Sequence, residues 1–358
     1  MKTSQRSIMR FTHIRAGICL AMLLLPAAQA GAAQKFTYID LVHRLTDLDH
    51  LATLPVPDEQ CAQQSSWDRA SKWDEQAGKF VGWDANGDGN GDRHATLAGG
   101  TVRGTDEGTG GVTGIGCIWR IWSAAPQAGH VRIYLDGSET PAVDLPFAGY
   151  FDLQNEPFVY PSLVYDAASG KNCYVPIPYA KSCKVVADKD WGAYYHFVYT
   201  TFPKGTVVPT FSRAMSGRDR LALAVADKYL SEMLGTPPAG ADPVFAEQVS
   251  RTVSIAPGEK WRMRLTGPAA ISALILRPET RSEDVLRNVT LRIYWDGANR
   301  PAVDSPVGDF FGTGPGANLY RSLPLGVTRE MLYSYWYMPF ASEAVLEMVN
   351  GGSERFYS

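Results

Sequence analysis

For most of the chain, apolar and polar positions alternate over short stretches rather than recurring every three or four residues. HVRIYLDG from His130 and VTLRIYWDG from Val289 are the clearest cases, rich in Val, Ile and Tyr and closed by Asp-Gly. That pattern predicts a strand ending in a tight turn. CYVPIPYA, CKVVA, YYHFVYTTF and TVVPTF follow the first copy, each bounded by Pro, Gly or polar clusters. Short strands at regular spacing predict an all-β sandwich or jelly roll and speak against alternating βαβ units. Two stretches depart from the pattern. IDLVHRLTDLDHLATLP places Leu41, Leu45, Leu48, Leu51 and Leu54 three or four apart, which predicts a helix stopped by Pro55. Ser216 can cap a second helix over RDRLALAVADKYLSEML, with Gly235 at its end and TPPAGADP following as a linker.

The two strand-turn segments are copies of one another. Val131–Pro146 and Leu291–Pro306 align at a constant offset with ten identities in sixteen positions. The same offset pairs Phe151 with Phe311, and Tyr160, Ser162 and Leu163 with Tyr320, Ser322 and Leu323. After one residue of slippage it pairs Tyr174, Pro178 and Ala180 with Tyr335, Pro339 and Ala341. A match of this length is an internal duplication. It predicts tandem β-sandwich modules: a first over 37–235 with its C-terminal helix, a linker over 236–248, and a second over 249–358. The second copy is expected to be incomplete. Ser358 corresponds to a position near Phe197, and strand-like sequence continues beyond that point in the first module. A sheet lacking its last strands would leave backbone groups and apolar faces uncovered, so the chain is expected to be the N-terminal part of a longer protein.

The first thirty residues change the picture of location. Lys2, Arg6, Arg10 and Arg15 precede AGICLAMLLLPAAQA, which ends in Ala28-Gln29-Ala30. This has the charge, length and small-residue end of a secretory leader over residues 1–30, cleaved near Ala30, and its apolar core is shorter than the roughly 20 residues of a spanning helix. A periplasmic or secreted protein without a membrane anchor is expected. Cleavage moves the formal charge from −3 to −7, and with no basic cluster to neutralise a row of phosphates, nucleic acid is not an expected partner. Four cysteines remain after the leader, Cys61, Cys117, Cys173 and Cys183. They fit two disulfides in an oxidising compartment or four buried thiols equally well, and none has the CxxC spacing of a zinc site.

Candidate chemistry is that of carbohydrate contact. Nine Trp, seventeen Tyr and fourteen Phe supply flat apolar faces for the C–H faces of sugar rings, although Trp119, Trp122, Trp191 and Trp295 read more simply as sandwich core. Ser65, Ser66, Asp68 and Arg69 in SSWDR offer hydroxyl, carboxylate and guanidinium groups to sugar hydroxyls, or a local cap and ion pair. Asp309, beside Phe310 in GDFFG, replaces the first module's Gly149 and is the best acid for sugar contact. Phe310, Trp336 and Phe340 follow Gly or Pro turns and are expected to line a pocket. Asp84, Asn86, Asp88 and Asp92 in WDANGDGNGD follow the first nine places of an oxygen-rich calcium loop, but the twelfth place is Ala95. A structural calcium and a plain polar loop both fit; no other cofactor is required. No phosphate loop, GxSxG, HExxH or strand-linked GxGxxG occurs.

GIGCIWRIWSA, RIYLDG, GKNCYVPIPYAKSCKV and WGAYYHFVYTTFPKGT, with PVGDFFGTGPG and YWYMPF in the second module, resemble glycoside hydrolase family 172. The resemblance runs from LTDLDHLATLP and QQSSWDRASKWDE through nearly the whole chain after the leader. It implies jelly-roll domains, a homotrimer or hexamer, and a retaining mechanism on D-arabinofuranosides or D-fructofuranosides. It also implies two catalytic glutamates in motifs resembling G-E-G-D and G-T-x-x-E-D-Y-F, and neither motif occurs here. No residue of this chain inherits that role, so the 358-residue chain itself is expected to be inactive. The alternative from another class is a non-catalytic carbohydrate-binding or assembly protein on the same sandwich, because fold alone does not decide function.

Overall fold

The computed structural model describes residues 9–16, 34–66, 72–81, 101–102, 112–188, 190–237 and 246–358. The structure is all-β with a few helices, and every pairing between its strands is antiparallel among the described residues. The chain divides into two compact units. The first unit contains Ala28–Thr46 and Pro55–Glu232; the second contains the strand Met9–Ala16, Asp47–Leu54 and Met233–Ser358.

In the first unit one sheet runs in the order Val164–Ala167, Gly170–Cys173, Gly116–Pro126, Gly192–Thr201, Gln60–Ser65, with Ile177–Tyr179 also paired on Gly116–Pro126. The other joins Ser182–Ala187, His130–Leu135 and Val143–Pro146, with Thr101–Val102 and Val112–Thr113 on the free side of Ser182–Ala187. Both sheets supply side chains to one core, where Ile121, Val131, Ile133, Phe147, Tyr150, Phe158, Ile177 and Trp191 are nearly inaccessible. This is the arrangement the alternating pattern predicts: every second residue of His130–Leu135 is buried.

The second unit repeats the plan. Lys260–Thr266, Glu343–Asn350, Val289–Trp295 and Val303–Pro306 make one sheet. The other runs Tyr320–Arg321, Leu325–Val327, Leu332–Ser334, Leu274–Leu276, Met9–Ala16, Ala269–Ile271, Met338–Phe340, with Ala246–Arg251 also paired on Met9–Ala16. Their shared core includes Ile271, Leu274, Leu291, Ile293, Phe311, Leu346 and Met348. The sequence reading leaves this sheet short of its closing strands; in the structure a central position is taken by Met9–Ala16, which lies inside the segment read as a leader.

The duplicated motif is explained residue by residue. Arg132 lies opposite Asp144 across the strand pair and its guanidinium also grips Asp188 at 2.6 and 2.8 Å. Arg292 lies opposite Asp304 at 3.0 Å and reaches Glu347 at 3.5 Å. Asp136 and Asp296 begin the turns at positive φ, 57° and 51°, which Asp tolerates better than most residues. Each carboxylate then accepts N–H groups from the next hairpin: Lys181 and Ser182 donate to Asp136, and Ala341, Ser342 and Glu343 to Asp296. The repeat therefore encodes a cross-strand ion pair and a turn tether.

The leucine run from Leu41 to Leu54 does not form one helix. Thr37 and Asp40 make a reciprocal cap for the helix Tyr38–His43, the chain turns after Arg44, and only a short 3-10 turn, His50–Ala52, follows. The spacing misleads because the leucines serve different surfaces. Leu41 is buried with Cys117, Phe202 and Val208, and Leu48 with Ala273, Ile275, Tyr333 and Tyr335, whereas Leu54 is 91 % exposed. The helix Gly217–Glu232 forms as its signals indicate, with the Ser216 hydroxyl accepting from the Asp219 N–H at 3.2 Å. TVVPTF, read as a strand, makes only one isolated bridge, Lys35 to Val207, since Pro209 has no N–H to offer a ladder. All four described cysteines are free thiols, with Cys117, Cys173 and Cys183 buried and Cys61 exposed.

Candidate functional site

An open cleft in the second unit brings two acids and an arginine into one lining. It is lined by Glu283, Arg287, Asp309 and the loop Gly312–Pro315, and among the described residues its construction has no counterpart in the first unit. There, residues 127–129 join the strands Gly116–Pro126 and His130–Leu135; here residues 277–288 join Leu274–Leu276 to Val289–Trp295 and include the helix Glu283–Asn288. Ser282 caps that helix by accepting the Val285 N–H at 3.2 Å. Val285 and Leu286 are buried in the core, which turns Glu283 and Arg287, four apart, outward along one face.

The opposite wall is the short helix Val307–Phe310. Val307 and Phe311 anchor it in the core and leave Asp309 outside. Gly308 allows the two helices to touch: a Cβ there would sit 2.7 Å from the Thr313 carbonyl and 2.9 Å from that of Leu286. The loop beyond is pinned from within. Buried Thr313 donates to the Gly316 carbonyl and accepts from the Asn318 N–H, both at 2.7 Å, and the Tyr320 hydroxyl donates to the Phe311 carbonyl at 2.6 Å. Asp284 ties the helix to the loop between Glu343–Asn350 and Phe356–Tyr357; the Asn288 amide first, then the Glu354 and Ser353 N–H groups, hold its carboxyl below the ordinary range.

Across the cleft, Arg287 donates to the Asp309 carboxylate. The result is a polar floor with an Arg287–Asp309 ion pair and Glu283 on the same lining, suited to exchange hydrogen bonds with the hydroxyls of a sugar. A carboxylate already engaged by Arg287 has fewer lone pairs to offer an anomeric carbon or a leaving oxygen. The arrangement is thus better fitted to binding than to double displacement.

The other sequence candidates are dispersed. Phe310 packs edge-on against Phe311 at the margin of the second unit's core and is not part of the cleft lining. Phe340 is 5 % exposed and stacks on Trp295, so it belongs to the core. Trp336 packs with Tyr333 and Tyr335 in a separate cluster. Ser65 and Ser66 are buried, and Ser66 exchanges hydrogen bonds with the Tyr195 backbone at 3.1 and 3.2 Å. Asp68 and Arg69 lie outside the described residues, as do Asp84, Asn86, Asp88 and Asp92 of the calcium reading. Among the described residues no group of three or more His, Cys, Asp or Glu side chains is placed to hold a metal ion. Sequence reasoning missed Glu283 and Arg287. The signal that could have found them is the insertion of residues 277–288 relative to the first copy, holding a capped S-E-D-V start with an acid and an arginine one turn apart.

Residues 57–219 match the family model described as GH172 first beta-sandwich domain, and residues 246–357 match the one described as GH172 domain-like. No curated protein matches the chain.

Proposed function

Because the chain belongs to glycoside hydrolase family GH172, we propose that it is an exported furanoside-recognising member of that family. Its substrate class is D-arabinofuranosides or D-fructofuranosides, and the chemistry of the family's complete site is retaining hydrolysis by two carboxyl groups about 5–5.5 Å apart. The observation that carries this reading is that both units match the same family. The sequence resemblance assigns the two catalytic glutamates to motifs this chain does not contain, so the role of these 358 residues is to bind the glycoside, in a homotrimer or hexamer. The Glu283–Arg287–Asp309 cleft supplies the polar contacts.

A purely binding protein without turnover in any form is the second reading, favoured by the engagement of Asp309 with Arg287 and of the duplicated acids with arginines and turn amides. Titration of the purified chain with methyl and aryl furanosides, followed by calorimetry and by release of the aryl group, tests furanoside binding and the assignment of the catalytic acids. Binding without release is expected, weakened several-fold by Asp309→Asn. Release of sugar that disappears in Glu283→Gln would place the catalytic acids in this cleft and overturn the assignment; neither binding nor release would end the furanoside reading.

A further inference from the structure

The second unit is closed by a strand that the rest of that unit does not supply. In the first unit the equivalent position is held by Gly192–Thr201, which pairs with Gln60–Ser65 on one side and Gly116–Pro126 on the other. It follows Ser182–Ala187 directly in the chain. In the second unit Met9–Ala16 takes that place, more than two hundred residues away in sequence from every strand it pairs with. Its register on one side is continuous, with Arg10 opposite Ile275, Phe11 opposite Leu274 and Ile14 opposite Ile271. On the other side Met9 lies opposite Arg251 and Ile14 opposite Glu247, with a bulge between Phe11 and Ile14.

We propose that the gap between Ala246–Arg251 and the pair Ala269–Ile271 and Leu274–Leu276 is a strand-acceptor site, and that the leader segment Met9–Ala16 is its donor in the unprocessed chain. The acceptor has the physical character such a site requires. Ile271, Leu274, Ile275 and Leu276 are between 1 and 5 % exposed with the donor seated. Without it, two rows of backbone N–H and C=O groups and the adjoining apolar face would open to water. Strand addition satisfies those groups through main-chain hydrogen bonds, and the alternating side-chain positions set register. The donor's connection runs through the segment read as cleaved near Ala30. A cut near Ala30, as the leader reading expects, would convert a covalently tethered strand into one held by pairing alone, which can exchange with another extended segment. This inference is independent of the sugar reading; its processing step rests on the exported reading proposed above.

The test uses the full chain carrying Cys19→Ser. Arg10→Cys with Ser250→Cys, directly opposite in register, should form a disulfide within one chain under mild oxidation, whereas Arg10→Cys with Glu247→Cys should not. Amide exchange of the chain without introduced cysteines should show Ala246–Arg251 and Ala269–Leu276 protected. Cutting at a protease site introduced after Ala30 should leave the N-terminal fragment bound until excess synthetic peptide spanning residues 7–18 displaces it. Equal cross-linking of both cysteine pairs, unprotected acceptor amides in the uncut chain, or immediate loss of the fragment with no change in protection would each overturn the proposal. Disulfides only between chains would assign the donor to a second copy and overturn the intrachain assignment.

Discussion

Asp296 shows how much structure one carboxylate organises. Backbone N–H groups of Ser342, Ala341 and Glu343 converge on it and hold its pKa near 2, below its ordinary 3.8. Because the folded state binds the proton more weakly than the unfolded chain, the stabilisation is fully present above about pH 4 and is lost as pH falls through about 2. Thermal melts followed by circular dichroism should fall over that interval, and Asp296→Asn should make the fall shallower. Asp136 does the same in the first unit. Burial alone would raise its carboxyl, but the Thr210 hydroxyl and the Lys181 and Ser182 N–H groups outweigh it and leave it below the ordinary range. At Gly308 the constraint is steric. Gly308→Ala forces a methyl onto two carbonyls and should cost about 2 kcal/mol, measured by urea denaturation, with furanoside binding weakened because the cleft's walls move apart. The Asp-Gly turns were legible from sequence. Their tethering function was not, since the donors lie about 45 residues downstream and no local pattern marks them.

At the level of elements, the helix Glu283–Asn288 depends on its cap. Ser282→Ala removes the acceptor for the Val285 N–H and the donor to Glu354 at 3.1 Å, and should lower stability by about 1 kcal/mol. Its signature would be faster amide exchange confined to residues 283–288. The strand pattern was readable wherever one face met the core and the other met water, as in His130–Leu135 and Val289–Trp295. It failed where that condition failed. The Leu41–Leu54 run scatters its leucines over two cores and solvent, so helical spacing there carries no information about one surface. Met9–Ala16 was hidden for another reason: basic and apolar residues at an N-terminus satisfy a leader pattern whether or not the segment also pairs as a strand. Of the cleft, Asp309 was visible because it breaks the internal repeat; Glu283 and Arg287 lie in an insertion the repeat does not cover.

On the scale of the whole chain, two sandwich units with the same closing position are completed differently, one by the strand that follows and one by a segment from the far N-terminus. The all-β class and the duplication followed from alternation and offset, because both depend on burial that recurs along the sequence. Completion of the second sheet depends on a pairing between distant segments, to which periodicity is blind. The buried thiols offer a last consequence. Burial raises the pKa of Cys173 and Cys183 to about 12 and that of Cys117 well above 9, while Cys61 stands exposed on its strand. A maleimide reacts with thiolate, so near neutral pH Cys61 should be modified and these three spared, checked by mass spectrometry of the digest. In the chain carrying Cys19→Ser, one dye or spin label can thus be attached to the Gln60–Ser65 strand, a single reporter on the first unit's own sheet.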